Sequence, residues 1–227
     1  MIDINKKIKK IALVDVDDVC IPFIEDFNIY LRTQRPEIVI DPKYLPKIWG
    51  YEELGSVSKE MNDYINGDSD KSKIFDGAVH FTTRLKELGF EIVLITAHPA
   101  HKLVERAKNL KSQGLVFDHL YCTAAFDHKG EKLYWRKSEF VEVLELNKDS
   151  KLLFVDDRAN SVIDMISKFD NAEGFTMDRG YNHGDLNQTL FDKDAERLHV
   201  VGEKFGEIAD DQVKRLYNVV LQRAGEL

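Results

Sequence analysis

The chain has 227 residues with 32 Lys and Arg against 40 Asp and Glu, a formal charge of −8, and 43% hydrophobic residues. That length buries a sizeable core in one domain, or in one domain with an appendage, and the negative balance disfavours extended binding to nucleic acid through phosphate contacts. Two cysteines, Cys20 and Cys122, are too few for a disulfide scaffold or a cysteine zinc site, and no stretch approaches 18 apolar residues, so a cytoplasmic protein without membrane contact is expected.

The basic cluster Lys6, Lys7, Lys9 and Lys10 reads as a solvated lead-in. Behind it the β-branched, apolar run Ile11 to Val14 predicts a strand covered on both faces, as in a mostly parallel sheet. It ends in Asp15, Asp17 and Asp18, three carboxylates at the sheet edge where open α/β folds bind ligands. Two unit charges about 4 Å apart repel by roughly 4 kcal/mol at an effective dielectric of 20. A cation is needed to hold several acids together, and an oxygen-rich set suits magnesium in company with a phosphate.

Phe23, Ile24, Phe27 and Ile29 to Leu31 trace a helix face that stops at Arg35-Pro36. Pro36, Pro42 and Pro46 keep residues 36–50 from forming one long element, and Tyr51 to Ile65 predicts a second helix closed by the loop Asn66-Gly67-Asp68-Ser69-Asp70. Residues 20–74 therefore read as a small helical insertion, with 1–19 and 75–227 forming the main α/β body. From Phe75 the pattern alternates: a helix over 78–88 stopped by Gly89, a strand over Phe90 to Ile95, and a helix over 100–113 stopped by Gly114. A strand at Phe117 to Tyr121, a helix over 137–146 and a strand at Lys151 to Val155 come next. A helix over 159–169, a short last strand at Gly174 to Thr176 and an amphipathic helix over 209–224 complete the chain. Strands separated by helices of 10 to 15 residues mean βα units and a parallel sheet.

Four places just past a predicted strand or at a helix start carry chemistry: Asp15 with Asp17, Thr96, Lys137, and Asp156 with Asp157. Their ordered combination resembles the four motifs of the haloacid dehalogenase (HAD) superfamily of aspartate-nucleophile phosphatases, over about residues 8 to 176. The resemblance implies a Rossmann-like core with a type-1 helical cap at 20–74. Within that superfamily the chain is most similar to the 5'(3')-deoxyribonucleotidases, on Asp156-Asp157-Arg158, Phe23 and the aromatic pair Trp49 and Tyr51.

The resemblance implies that Asp15 attacks phosphorus and that Asp17 exchanges protons with the leaving group and the hydrolytic water. The latter role calls for a raised pKa, which a like-charged Asp15 would supply. Asp18 stands where many relatives have glycine. Thr96 would donate to a phosphoryl oxygen, or alternatively cap the next helix. Lys137 would offset negative charge, with Lys129 and Lys132 as rivals. Asp15, Asp17, Asp156 and Asp157 would hold Mg2+, the sequence leaving open which of the last pair ligates directly. Phe23, Trp49, Tyr51, Ala97, His98 and Arg158 would border the substrate, the three aromatics either stacking on a base or forming the cap's own core. The expected partner is a small phosphorylated molecule, a nucleoside monophosphate above all, and a homodimer is allowed. Another small phosphate ester such as a sugar phosphate, a nucleic-acid 3'-end, or a non-catalytic binding role are the alternatives.

Overall fold

The computed structural model describes residues 9–36, 58–126, 132–134, 136–146, 148–178, 195–202, 204 and 207–227. Its centre is a strand, β1 (Lys9–Val14), whose four apolar residues Ile11 to Val14 are fully buried. On one side of β1 lie β2 (Glu91–Pro99), β3 (His119–Phe126) and β4 (Lys132–Tyr134); on the other lie β5 (Ser150–Val155), β6 (Ala172–Met177) and β7 (Leu198–Val201). The order is β4-β3-β2-β1-β5-β6-β7, parallel throughout except for the antiparallel β3–β4 pair at one edge. The α/β class and the parallel sheet expected from the alternating pattern are thus what the chain forms.

Strand alternation explains the unbroken apolar run. Ala12 and Val14 join Ile92, Leu94, Leu153 and Val155 on one face, while Ile11 and Leu13 join Val93, Ile95, Leu152 and Phe154 on the other. The first face is covered by α3 (Ala78–Glu87) and α7 (Ala209–Glu226), whose Phe81 and Tyr217 rings stack at 4.3 Å. The second is covered by α5 (Lys137–Val143) and α6 (Ala159–Lys168) through Val141, Val162, Met165 and Ile166. Helix α4 (Leu103–Ser112) follows β2. Gly89 and Gly114, at φ +85° and +87°, end α3 and α4 in the left-handed conformation that favours glycine. A Cβ at Gly174 would come within 2.3 Å of Val162 Cγ1, so glycine in β6 is what lets α6 lie so close to the sheet.

Helices α1 (Phe23–Gln34) and α2 (Ser58–Gly67) pack Phe23, Phe27 and Tyr30 around Tyr64, with ring centroids 5.3 to 5.5 Å apart. These side chains are continuous with the core on the α3–α7 face.

Several boundaries differ from expectation for identifiable reasons. Ile29 is exposed, so the α1 face is narrower than its apolar residues suggest. Residues 100–102 form a 3-10 turn ahead of α4. β2 runs to Pro99 rather than Ile95, β4 is an added edge strand, and β7 follows the strand expected to be last. Both added strands are short, at three and four residues, too few for alternation to announce them.

Candidate active site

Register brings the motif residues to one rim. Val14 pairs with Leu94 of β2 and with Val155 of β5, so the residues just beyond them emerge side by side at the C-terminal edge. Asp15 extends the ladder one step, its N–H donating to Val155 O at 2.8 Å. The chain then turns: Asp18 N–H donates to Ile21 O at 2.7 Å, and Cys20 and Ile21 N–H both donate to Val16 O. Asp18 holds φ +57°, a left-handed conformation that favours glycine and that aspartate tolerates. Its Oδ1 accepts the N–H of Ile24 in the first turn of α1, at 3.1 Å, so the loop also fastens that helix.

On one side of the loop sit Asp15, Asp156 and Asp157, all buried, with carboxylate oxygens within 4.8 Å of one another. Lys137, the first residue of α5, reaches between two of them: its Nζ is 2.8 Å from Asp15 Oδ1 and 2.6 Å from Asp156 Oδ2. Asp15 Oδ1 also accepts the Val16 N–H at 2.7 Å, and Asp156 Oδ1 accepts the Arg158 N–H at 2.8 Å. Burial drives the Asp15 pKa well above the carboxylate range, and the charges of Asp156, Asp157 and Asp17 add to this against the opposing pull of Lys137. Burial works against the Lys137 ammonium, but Asp15 and Asp156 outweigh it and hold the amine above the ordinary lysine value.

On the other side, Asp17 meets a different environment. Its Oδ1 lies 2.7 Å from Arg106 Nη2 of α4, and its Oδ2 accepts Thr96 Oγ1–H at 2.7 Å. Thr96 Oγ1 accepts the His98 N–H at 3.1 Å. Arg106 Nη2 also donates to His98 Nδ1 at 3.0 Å, which places the imidazole proton on Nε2, 3.4 Å from Ser69 Oγ. Burial, then the neighbouring Arg106 charge, depresses His98 to about 4, so the ring is neutral at pH 7. Burial raises the Asp17 pKa, but Arg106, His98 and Thr96 more than reverse it, and the net shift is downward. The rise expected from Asp15 is therefore corrected: a guanidinium contributed by α4 decides the sign.

The four acids expected to hold a metal are thus arranged as three and one. Asp15, Asp156 and Asp157 cluster, while both Asp17 oxygens are engaged by Arg106 and Thr96. Thr96 does not cap a helix; it lies inside β2 and turns its hydroxyl to Asp17. Lys137 stands against Asp15 and Asp156; Lys132 lies in β4, and Lys129 falls outside the described residues, as do Trp49 and Tyr51. Phe23, expected either to stack on a base or to join the cap's own core, is buried edge-on against Tyr64, because its place in the first turn of α1 faces the core. His98 is buried behind Asp17 rather than at an open rim, whereas Ala97 and Arg158 are exposed. Arg106 was not anticipated. Its signal was an arginine one turn before Leu110, a charged residue on what the helical period makes an inward face.

No family model matches the chain, and no curated protein matches it. Solved structures do match. A HAD family hydrolase from Deinococcus radiodurans R1, with bound phosphate and sodium, superposes with a TM-score of 0.54 at 11% identity over 94% of this chain and 97% of that one. A protein named as a predicted phosphoglycolate phosphatase from Haemophilus somnus 129pt gives a TM-score of 0.54 at 13% identity over 92% and 99%. A class C acid phosphatase from Bacillus anthracis gives 0.51 at 16% over 95% and 80%. At such identities the likeness is one of architecture, and the chain has the α/β fold of the HAD-like, Rossmann-type hydrolases.

Proposed function

We propose that the chain is a magnesium-dependent phosphomonoesterase working through an aspartyl-phosphate on Asp15. The observation that carries this reading is Lys137, bridging Asp15 and Asp156 inside a buried trio of carboxylates. Three acids against one ammonium leave a surplus of negative charge in a dry site, at roughly 4 kcal/mol per close pair at an effective dielectric of 20. A hard divalent cation with oxygen ligands fits that donor set, and Asp15, Asp156 and Asp157 are the side chains that would hold it. When bound, Mg2+ supplies the positive charge against which phosphoryl oxygens can approach carboxylates.

Asp15 then attacks phosphorus in line with the leaving oxygen, dividing one hard displacement into two easier ones. Lys137 holds the Asp15 carboxylate in place and faces the equatorial charge of the transferring group. Asp17 takes a proton from the water that releases phosphate, in the second half of the cycle, and carries it to the departing oxygen of the next turnover. Its ionised state beside Arg106 suits the second half of that cycle. Thr96 orients Asp17 in this geometry.

The substrate reading is a deoxyribonucleoside monophosphate, supported by the resemblance of Asp156-Asp157-Arg158 to the deoxyribonucleotidase motif and by the exposure of Arg158 at the start of α6. The burial of Phe23 removes one wall of a base slot and supports a second reading, a smaller phosphate ester such as a sugar phosphate. A magnesium-supplemented phosphate-release screen across nucleoside monophosphates and sugar phosphates tests both. Release from any member, lost with EDTA and with Asp15→Asn, is expected; release that persists in Asp15→Asn overturns the nucleophile assignment.

A further inference from the structure

We propose that Arg106 is a positioning residue for Asp17, fixing the carboxylate plane for proton transfer and anchoring it to the segment between α2 and α3. The inference rests on the function proposed above. Arg106 is fully buried on α4, in line with buried Leu110, where an apolar residue would complete the helix face. Its Nε has no acceptor among the described residues. Burying a guanidinium with an orphan N–H opposes folding, so a purely stabilising role is a poor account of it.

Its remaining donors are well used. Nη2 donates to Asp17 Oδ1 and His98 Nδ1, and Nη1 donates to Ser69 O at 3.3 Å. The planar fork therefore ties three points that are distant in sequence, and a lysine could not reproduce that geometry. With Thr96 on Oδ2 and Arg106 on Oδ1, each Asp17 oxygen keeps a lone pair for a water proton while the carboxylate cannot rotate. The mount is firm: Asn109 Nδ2 of α4 donates to Asp70 O at 2.7 Å, and Lys102 Nζ, in the turn just ahead of α4, lies 2.8 Å from Asp70 Oδ2, so the segment is gripped on both sides of Arg106.

The step affected is hydrolysis of the aspartyl-phosphate. A water oxygen bonds to phosphorus, its proton passes to Asp17, and the bond from phosphorus to Asp15 oxygen breaks to return the carboxylate and inorganic phosphate. p-Nitrophenyl phosphate isolates this step, because nitrophenolate leaves without a proton from Asp17. Rapid mixing of the full chain with this substrate and Mg2+ gives the burst rate and the steady-state rate. The expected result for Arg106→Met is a near-wild-type burst followed by a steady state slowed about 10- to 100-fold, a part of the 10²- to 10⁴-fold worth of acid–base catalysis. Asp17→Asn should show the same signature more strongly. Arg106→Lys, which keeps the charge, should still raise the ratio of burst to steady-state rate. This second variant decides the matter if the methionine variant fails to fold. Arg106→Lys with wild-type kinetics, or variants losing burst and steady state equally, would overturn the proposal. Absence of nitrophenolate release by the wild-type protein would instead sink the phosphatase reading, and this inference with it.

Discussion

Asp15 and Asp17 stand two residues apart and occupy opposite electrostatic worlds. Around Asp15, three buried carboxylates share one ammonium, and burial with like charges raises its pKa. Around Asp17, a guanidinium and a hydroxyl each take one oxygen, a neutral imidazole stands behind, and the pKa falls. The first side holds three acids against one ammonium; the second is balanced among its own side chains. Under the proposed mechanism, the nucleophile is unveiled by a partner that arrives with the reaction, whereas the proton carrier is set before it begins. The loop at the end of β1 places the two carboxylates in such different surroundings because β5 and α5 furnish one side and β2 and α4 the other.

The sharpest way to break the comparison is to remove the charge from one side at a time. Asp15→Asn should bring turnover to background while leaving the melting curve intact or higher, since it relieves crowding among acids. Loss of a covalent nucleophile costs on the order of a millionfold in kcat. Residual phosphate release near the wild-type rate would place the nucleophile elsewhere. Lys137→Met should lower kcat about a hundredfold, near 3 kcal/mol of barrier, the usual worth of a preorganised group facing a developing charge. It should also weaken the protein at neutral pH without added metal, because Asp15 and Asp156 lose their common cation. A variant with normal kcat and normal stability would show that the bridge serves neither purpose.

Much of the Asp15 side was legible in the sequence. Apolar runs ending in acids at 15 and at 156–157 announce buried parallel strands with a shared edge, and register does the rest. Choosing Lys137 among neighbouring lysines depended on its place at the start of α5, from which its Nζ reaches Asp15 and Asp156. The Asp17 side was far less legible. Thr96 and His98 were visible as candidates, and Thr96 bonds Asp17 directly, but the tie of His98 to Asp17 passes through Arg106, whose side chain arrives from a helix that looks like an ordinary basic amphipathic one. Periodicity shows which positions face inward; it does not show which inward charge meets which partner. Phe23 shows the converse, since an aromatic near a motif left a ligand slot and a core position equally open, and the ring packs into the core.

Mg2+ should sharpen the same contrast through stability. A ligand bound only by the folded state contributes about 2.7 kcal/mol at a concentration a hundredfold above its Kd. For a chain of this length, that raises the melting temperature by about 5–10 °C. Asp156→Asn, which removes one of the three clustered carboxylates, should cut the shift strongly, and Arg106→Lys, on the balanced side, should leave it whole. Equal shifts in the two variants would deny that the cation belongs to the Asp15 side.

The smallest expected effect concerns the neutral ring behind Asp17. His98 titrates near 4 in the folded chain against 6.5 ordinarily, so between these values the unfolded chain holds a proton that the folded chain does not. Stability from this source is fully present above about pH 6.5 and falls as the pH drops towards 4. At pH 5.5 the loss is about 1.4 kcal/mol, the weight of one unit between the unfolded pKa and the pH. His98→Asn cannot titrate, so it should lower stability at pH 7, where bonds to Arg106 and Ser69 are altered, and flatten the acid limb. Urea midpoints at pH 7, 6, 5.5 and 5 measure that slope. An asparagine variant that loses stability with acid as steeply as the wild type would mean that the ring accepts its proton without leaving Arg106, and the balance drawn for the Asp17 side would then be wrong.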